Sequence, residues 1–308
     1  MAPRILTFTL NPTIDLAAEA DQVQPVRKVR TRGDSFDPGG GGVNVARVLQ
    51  ELGGETLAII LAGGVSGTLL EELLAEGGVP HLTVPISGRT RISHTVHDLK
   101  AGLEYRFVPE GPHLSEAEWQ AGLAALAATP GDWLVASGSL SPGVPQDYYA
   151  RCKAIAVRRG LPFVLDTSGP ALQAALGPGL KLIKPSQGEF DTLVGRKLAD
   201  HELAEAAQGF VAQGATELLA VTLGADGALL ASAEGVLRLP PIEVPAVGAV
   251  GAGDSFLAAM VLHLAEGAAP RDAFAWGMAA GAAAVMRPGT AHPKRADVAA
   301  LRARIGKV

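Results

Sequence analysis

Six apolar runs of strand length constrain the fold most: Ile5 to Leu10, Leu57 to Leu61, Trp133 to Ala136, Phe163 to Leu165, Leu180 to Ile183 and Leu218 to Thr222. Helix-forming stretches follow them. Apolar runs without polar alternation suit strands buried on both faces, and strand-then-helix order needs crossover connections, so the sequence predicts an α/β fold with a mostly parallel sheet. One helix start is explicit, the capping box Ser115-Glu-Ala-Glu118 ahead of Trp119 to Leu126. Two regions break the rhythm. Ala17 to Asp34 and Arg91 to Val108 read as hairpin-like strands, the second with Leu103, Tyr105 and Phe107 alternating with polar neighbours. They predict a small lid sheet, built from inserted segments at about 15–36 and 88–109 of a single domain spanning residues 1–308. A small sheet cannot bury itself unaided. Its Tyr105 and Phe107 face is expected to pack on a second subunit, giving a homodimer through the lid, while the Arg106 face covers a ligand.

Composition removes several classes of function. With 48% hydrophobic and 19% charged residues the chain is globular. No run of ~18 apolar residues appears and Met1-Ala-Pro-Arg4 lacks the blocks of a signal peptide, so a cytoplasmic location with no membrane partner is expected. A net charge of −5, no basic block and 5% aromatics argue against a nucleic-acid partner. An anionic ligand would need cations collected locally. The single cysteine, Cys152, excludes an internal disulfide and sits in a helix-like context that predicts burial. His94 and His97, three apart on a strand, point to opposite faces and do not form a metal pair. Trp119, Trp133 and Trp276 lie in apolar contexts and are expected in the core.

The chemistry-bearing residues lie in glycine-rich turns. Val250-Gly-Ala-Gly-Asp254 precedes the helix-forming run Phe256 to Ala265, and Ile242 to Pro245 before it reads as extended. Gly251, Ala252 and Gly253 would present free backbone N–H groups at a positive helix end, where a phosphate can sit. Asp254 would repel that phosphate as a ligand but suits a base for an attacking hydroxyl, kept ionised by the helix end. A tight turn with an N-cap carboxylate fits the same four residues. In Asp37-Pro-Gly-Gly-Gly-Gly-Val-Asn44, four successive glycines cost more backbone entropy than a turn requires. Close approach of a polyhydroxylated ligand to main-chain N–H groups explains them, with Asn44 offering a donor and an acceptor. Asp15, in Asn11-Pro-Thr-Ile-Asp15, follows the first strand, where open α/β sheets bind ligands.

Taken in order, Gly39-Gly-Gly-Gly-Val-Asn44, Asp166-Thr-Ser-Gly169, Lys184-Pro-Ser-Gln-Gly-Glu189, Thr222-Leu-Gly-Ala-Asp-Gly227 and Gly251-Ala-Gly-Asp254 resemble the ribokinase-like (PfkB) carbohydrate kinases, from about Asn11 to Gly289. The resemblance implies a Rossmann-type three-layer sandwich with a β-sheet lid, and MgATP as phosphoryl donor. It makes Asp254 the base and the Gly251, Ala252 and Gly253 amides an anion hole. Lys184, Ser186, Thr222, Gly224 and Gly227 would bind ATP, with Ala279 to Val285 as an apolar wall by the adenine. Glu189 would order waters on Mg²⁺, and Gly248, Val250, Ala284 and Gly289 would form a K⁺ loop by backbone carbonyls. Ser186 stands where many members have Asn, and Ala249 where many have Thr or Ser. Arg287 beside that loop could replace the cation's charge.

The contexts of Lys28, Arg30, Arg91 and Arg106 resemble the phosphofructokinase branch, and convergence of the four cations would make a phosphate socket that a neutral sugar would not need. The resemblance assigns Asp15, Gly40, Gly41, Asn44, Arg91, Arg106 and Ser139 to fructose 6-phosphate, with fructose 1,6-bisphosphate as product. Fructose 1-phosphate and tagatose 6-phosphate remain alternative acceptors. A non-catalytic sugar-binding protein on the same fold is the non-enzyme alternative, against which an intact Asp254 speaks. An NAD-dependent dehydrogenase would need Gly-x-Gly-x-x-Gly after the first strand, where Asn11-Pro-Thr-Ile-Asp15 stands.

Overall fold

The computed structural model describes residues 2–248, 250–287 and 291–306. The chain begins with β1 (Arg4–Thr9), β2 (Thr13–Ala20), β3 (Thr31–Gly39), α1 (Gly41–Leu52), β4 (Glu55–Ala62), α2 (Gly64–Glu76) and β5 (His81–Pro85). It continues through β6 (Arg91–Asp98), β7 (Leu103–Phe107), α3 (Glu116–Ala128), β8 (Trp133–Ser137), α4 (Tyr148–Arg158), β9 (Phe163–Asp166), α5 (Gly169–Ala175) and β10 (Leu180–Ile183). The last third holds α6 (Gln187–Val194), α7 (Leu203–Ala212), β11 (Leu218–Thr222), β12 (Ala228–Ser232), β13 (Gly235–Leu239), α8 (Ala252–Ala265), α9 (Pro270–Val285) and α10 (Arg295–Ile305).

The main sheet has the order β13-β12-β11-β10-β9-β8-β1-β4-β5, parallel except for β12 and β13. Successive residues of one strand feed opposite cores, as a period of two requires. Leu6, Leu134, Phe163 and Leu219 join α3, α4, α6 and α7 on one face, while Ile5, Val135, Val164 and Ala220 join α1, α8, α9 and α10 on the other. All six predicted runs fall on strands of this sheet, the first overrunning β1 by Leu10. Because α1 and α3, which lead into the neighbouring strands β4 and β8, lie on opposite faces, the crevice opens at the carboxyl end of β1.

The lid is a separate four-stranded sheet of order β3-β2-β6-β7. It consists of two antiparallel hairpins joined by a parallel pairing of β2 with β6. The strands run beyond the predicted segment, since β2 begins at Thr13 and β3 ends at Gly39, but the intervening residues 21–30 form a turn region rather than strand. Residues 242–245, read as extended, form no strand either: Pro240, Pro241 and Pro245 remove the donors a ladder needs. Ser115 caps α3 as the sequence predicts, and Cys152 and Trp119 are buried. Burial pushes the Cys152 thiol up, away from reactivity. Trp133 and Trp276 are only half-buried, the latter stacked on His263. Among the described residues no helix is long and apolar enough to cross a membrane.

Candidate active site

Helix α8 starts where the sequence reading puts it. Gly251 takes the left-handed conformation (φ 73°) at the N-cap, so the amides of Ala252 and Gly253 open the helix with no side-chain cap. Asp254 lies in that first turn, and Asn44 from α1 donates to its Oδ2 at 2.9 Å. A side chain on Gly253 would bring its Cβ to 3.0 Å from Lys184 Nζ, so the missing Cβ lets the ammonium lie over the helix end. Lys184 itself is buried and its Nζ stands 3.5 Å from Asp166 Oδ1, at the end of β9. On the far side, Gly281 of α9 lets its helix pack against the Ala252 carbonyl.

The charge state of Asp254 differs from the expectation. Part of the side chain opens to the crevice, yet burial, followed by repulsion from Asp166 and a lesser push from Asp15, drives its carboxyl up to about 7. The Asn44 amide and Lys184 oppose this and do not cancel it. Burial first, and the neighbouring carboxylates after it, therefore hold the proton on Asp254 more firmly than the helix position alone predicts.

The acceptor side of the crevice is made by the glycine run and the lid. Gly40 has φ 102° and would clash with Thr9 if it carried a side chain, and a Cβ on Gly41 would run into the Ser137 hydroxyl. Asp15 lies on β2, paired with Asp37 on one side and Ser93 on the other. Burial raises its pKa, opposed first by Arg106 and then by a hydrogen bond from Ser93. Asp15, Arg91, Ser93 and Arg106 occupy one face of the lid by the alternation of its strands. Arg106 is half-exposed, with Glu104 at 3.8 Å, and Arg91 is turned inward. Ser139 follows β8 and accepts from Asn11 Nδ2 at 3.3 Å.

Lys28 and Arg30 do not join them. Both sit on the exposed turn beyond the Ala20–Thr31 pair, about 16 Å of strand away from Asp15. The expected four-cation socket is therefore two arginines within one chain.

On the nucleotide side, Ser186 and Thr222 are bridged as neighbouring backbone, and the Thr222 amide donates to the Pro185 carbonyl at 3.0 Å. Gly224 (φ 61°) has open space where a side chain would be, and Gly227 (φ 91°) has no room for one. Ser186 and Glu189 form a capping box at α6: the Ser186 amide and hydroxyl both donate to Glu189 Oε2 at 2.8 Å. The pattern Ser-x-x-Glu is the same as at Ser115, so these two residues close the start of α6 as well as facing the nucleotide side. Oε1 of Glu189 remains for other work, and its charge reaches Asp166. Among the described residues no three metal-ligating side chains gather. Two carboxylates beside one lysine suit Mg²⁺ held largely through waters, which it sheds reluctantly.

At the expected cation loop, the amides of Val247 and Gly248 donate to the Val285 carbonyl, and the Arg287 amide to that of Ala284. Arg287 pairs its guanidinium with Asp297. Val250 lies just ahead of the α8 N-cap, and Gly289 and Ala249 fall outside the described residues. Ala279, Ala280, Ala283 and Ala284 are buried in the core of α9. Asp166, quoted only as part of a motif, is the group whose role sequence reasoning missed; its signal was a carboxylate at the end of an apolar strand.

The sequence matches the model of the pfkB family carbohydrate kinases over residues 9–297. It is similar to ATP-dependent 6-phosphofructokinase isozyme 2 of Mycobacterium tuberculosis, 43% identical over 299 residues that cover 96% of this chain and 88% of that one. The Escherichia coli protein of the same name is 41% identical over 290 residues, covering 93% and 94%. The crystal structure of phosphofructokinase-2 from Escherichia coli in complex with fructose-6-phosphate matches with a TM-score of 0.93 at 38% identity, over 99% of this chain and 100% of that one.

Proposed function

The chain belongs to the pfkB family of carbohydrate kinases, and on that premise we propose that it transfers the terminal phosphoryl group of ATP to fructose 6-phosphate, giving fructose 1,6-bisphosphate. The observation that carries this is the position of Asp254: a carboxyl in the first turn of α8, held by Asn44, with Lys184 over the same helix end and the lid's Asp15 near enough for its charge to be felt.

In this reading Asn44 occupies Oδ2 of Asp254 and leaves Oδ1 to take the proton of the attacking hydroxyl. Lys184 and the amides of Gly251, Ala252 and Gly253 face the negative charge of the group in transfer. Asp15 and the Gly40 and Gly41 amides hold sugar hydroxyls, while Arg91, Arg106 and Ser139 hold the acceptor's phosphate. Ser186, Thr222, Gly224 and Gly227 line the nucleotide. Mg²⁺ supplies charge neutralisation when bound with the nucleotide, and Glu189 and Asp166 are the carboxylates that would hold its waters. The carbonyls of Gly248, Val250 and Ala284 would take a monovalent cation, since Arg287 is engaged elsewhere. A cytoplasmic location, where MgATP is supplied, goes with this chemistry.

The deciding experiment is a coupled assay of MgATP against fructose 6-phosphate, fructose 1-phosphate, tagatose 6-phosphate and ribose, with wild type and Asp254→Asn. Fructose 6-phosphate is expected to give the highest kcat/KM, and equal turnover by the variant would sink the base. The reading extends to assembly. Phe36, Leu16, His94 and Phe107 form one row across all four lid strands, and Phe36 and Phe107 are exposed in the single chain. A second lid covers this row in a homodimer, which would bring Lys28 and Arg30 of one chain toward its partner. Wild type should sediment as a dimer at micromolar concentration and Phe107→Glu as a monomer; a monomeric wild type ends the proposal.

A further inference from the structure

Asn11 lies where the chain leaves the main sheet for the lid, and it is 3% exposed. Both hydrogens of its amide are engaged: Nδ2 donates to the Glu110 carbonyl at 2.7 Å and to Ser139 Oγ at 3.3 Å. Its backbone carbonyl accepts from Arg91 Nη2 at 2.9 Å, and Arg91 Nη1 donates to the Pro109 carbonyl at the same distance. Two side chains thus tie together the strand entering the lid, the strand leaving it and the loop carrying Ser139. Gly111 keeps a left-handed φ of 101° directly against the amide, and a Cβ there would run into Asn11 Oδ1 and stand 2.9 Å from its Cγ and Nδ2.

Two buried atoms of this knot have no partner among the described residues, the acceptor Asn11 Oδ1 and the donor Arg91 Nε. Both are closed off from solvent, so the knot is packed shut and its strength rests on the four hydrogen bonds it does make.

We propose, on the basis of the kinase reading, that Asn11 is a positioning residue: its amide hydrogens and its backbone carbonyl fix the lid and the Ser139 loop in one register around the acceptor. Asn11 touches no reacting atom in this arrangement; it acts through Ser139 and Arg91.

The test uses Asn11→Leu, of similar shape and without hydrogen bonds, and Asn11→Asp, which keeps the acceptor and loses the donor. Dissociation constants are measured for the phosphosugar that wild type phosphorylates, together with KM for MgATP. Asn11→Leu should weaken sugar binding about tenfold, the effect of losing one or two hydrogen bonds, and leave the MgATP KM within twofold. Sugar binding within twofold of wild type, or equal losses for sugar and nucleotide, overturns the proposal. Asn11→Asp keeps the test open if the leucine variant does not fold. Its sugar affinity relative to wild type should recover as pH falls from 8 to 5.5, because a protonated carboxyl regains a donor, and a flat ratio counts against the assignment. Wild-type turnover tests the kinase reading, whereas the ratio of variant to wild type tests this one.

Discussion

The main sheet and the lid dispose of their apolar faces in opposite ways. Every strand of the main sheet from β1 to β12 that carries the site is covered on both sides, and its residues alternate between two helical layers. The lid buries Ile14 and Val96 but leaves Phe36, Ile92, Leu103 and Phe107 open. A sheet packed from both sides holds its strand ends rigidly. Groups at those ends, Asp166 after β9 and Lys184 after β10, are therefore suited to chemistry that tolerates little displacement, as is Asp254 at the adjoining helix start. A sheet packed on one side can move as a unit, and Arg106, Asp15 and Arg91 are suited to capture. The comparison teaches that main-sheet substitutions should act on kcat and lid substitutions on KM.

The sharpest way to break that division is Asp254→Asn. Losing a general base is expected to lower kcat by ~100-fold or more with a modest change in KM for fructose 6-phosphate. Because the wild-type carboxyl sits up near 7, wild-type kcat/KM should also fall about tenfold per pH unit below that value and level off above it. Steady-state kinetics between pH 5.5 and 8.5 checks both. A variant whose KM rises while kcat holds would place Asp254 with the binding groups.

Arg106→Ala probes the lid in the opposite direction. A charge-assisted bond to phosphate contributes ~1.5–3 kcal/mol, and the half-exposed position of Arg106 reduces this, so KM for the phosphosugar should rise about tenfold. The kcat is expected to stay within a few-fold. A large loss of kcat with unchanged KM would mean that the lid takes part in the chemical step and that the two regions are not separable.

The same contrast explains what the sequence discloses. Apolar runs such as Phe163 to Leu165 announce the main sheet because burial on both faces leaves no polar positions in them. The edge strand β5 and the antiparallel strands β12 and β13 are quieter: His81 and Pro85 bound the first, and the alanines of Ala228 to Ser232 have little strand character. Asp254 and Asn44 are legible as residues because glycines flank them, but their 2.9 Å bond joins positions 210 residues apart and no local pattern encodes it. The raised pKa of Asp254 is hidden for the same reason, since its burial, and after that the charges of Asp166 and Asp15, arise only through the fold. Lys28 and Arg30 are misplaced because composition counts cations without locating the hairpin tip.

The smallest expected effect concerns stability, and it separates the two regions without any substrate. Asp254 ionises near 3.8 when unfolded and at about 7 in the folded chain. Below pH ~4 both states hold the proton and burial carries no charge penalty. As pH rises toward 7 the unfolded chain gives its proton up first, so stability is lost through this window and the loss is complete above it. Three pH units set a ceiling of ~4 kcal/mol, and water reaching the crevice brings this to ~2 kcal/mol. Asparagine resembles the protonated acid at every pH. Asp254→Asn should therefore match wild type in Tm near pH 3.5 and exceed it by about 4 °C near pH 8, whereas Arg106→Ala should show no such divergence. If Asp254→Asn instead lowers Tm at pH 8, Lys184 compensates the buried carboxylate more fully than the neighbouring acids oppose it, and the helix start is built to hold Asp254 charged.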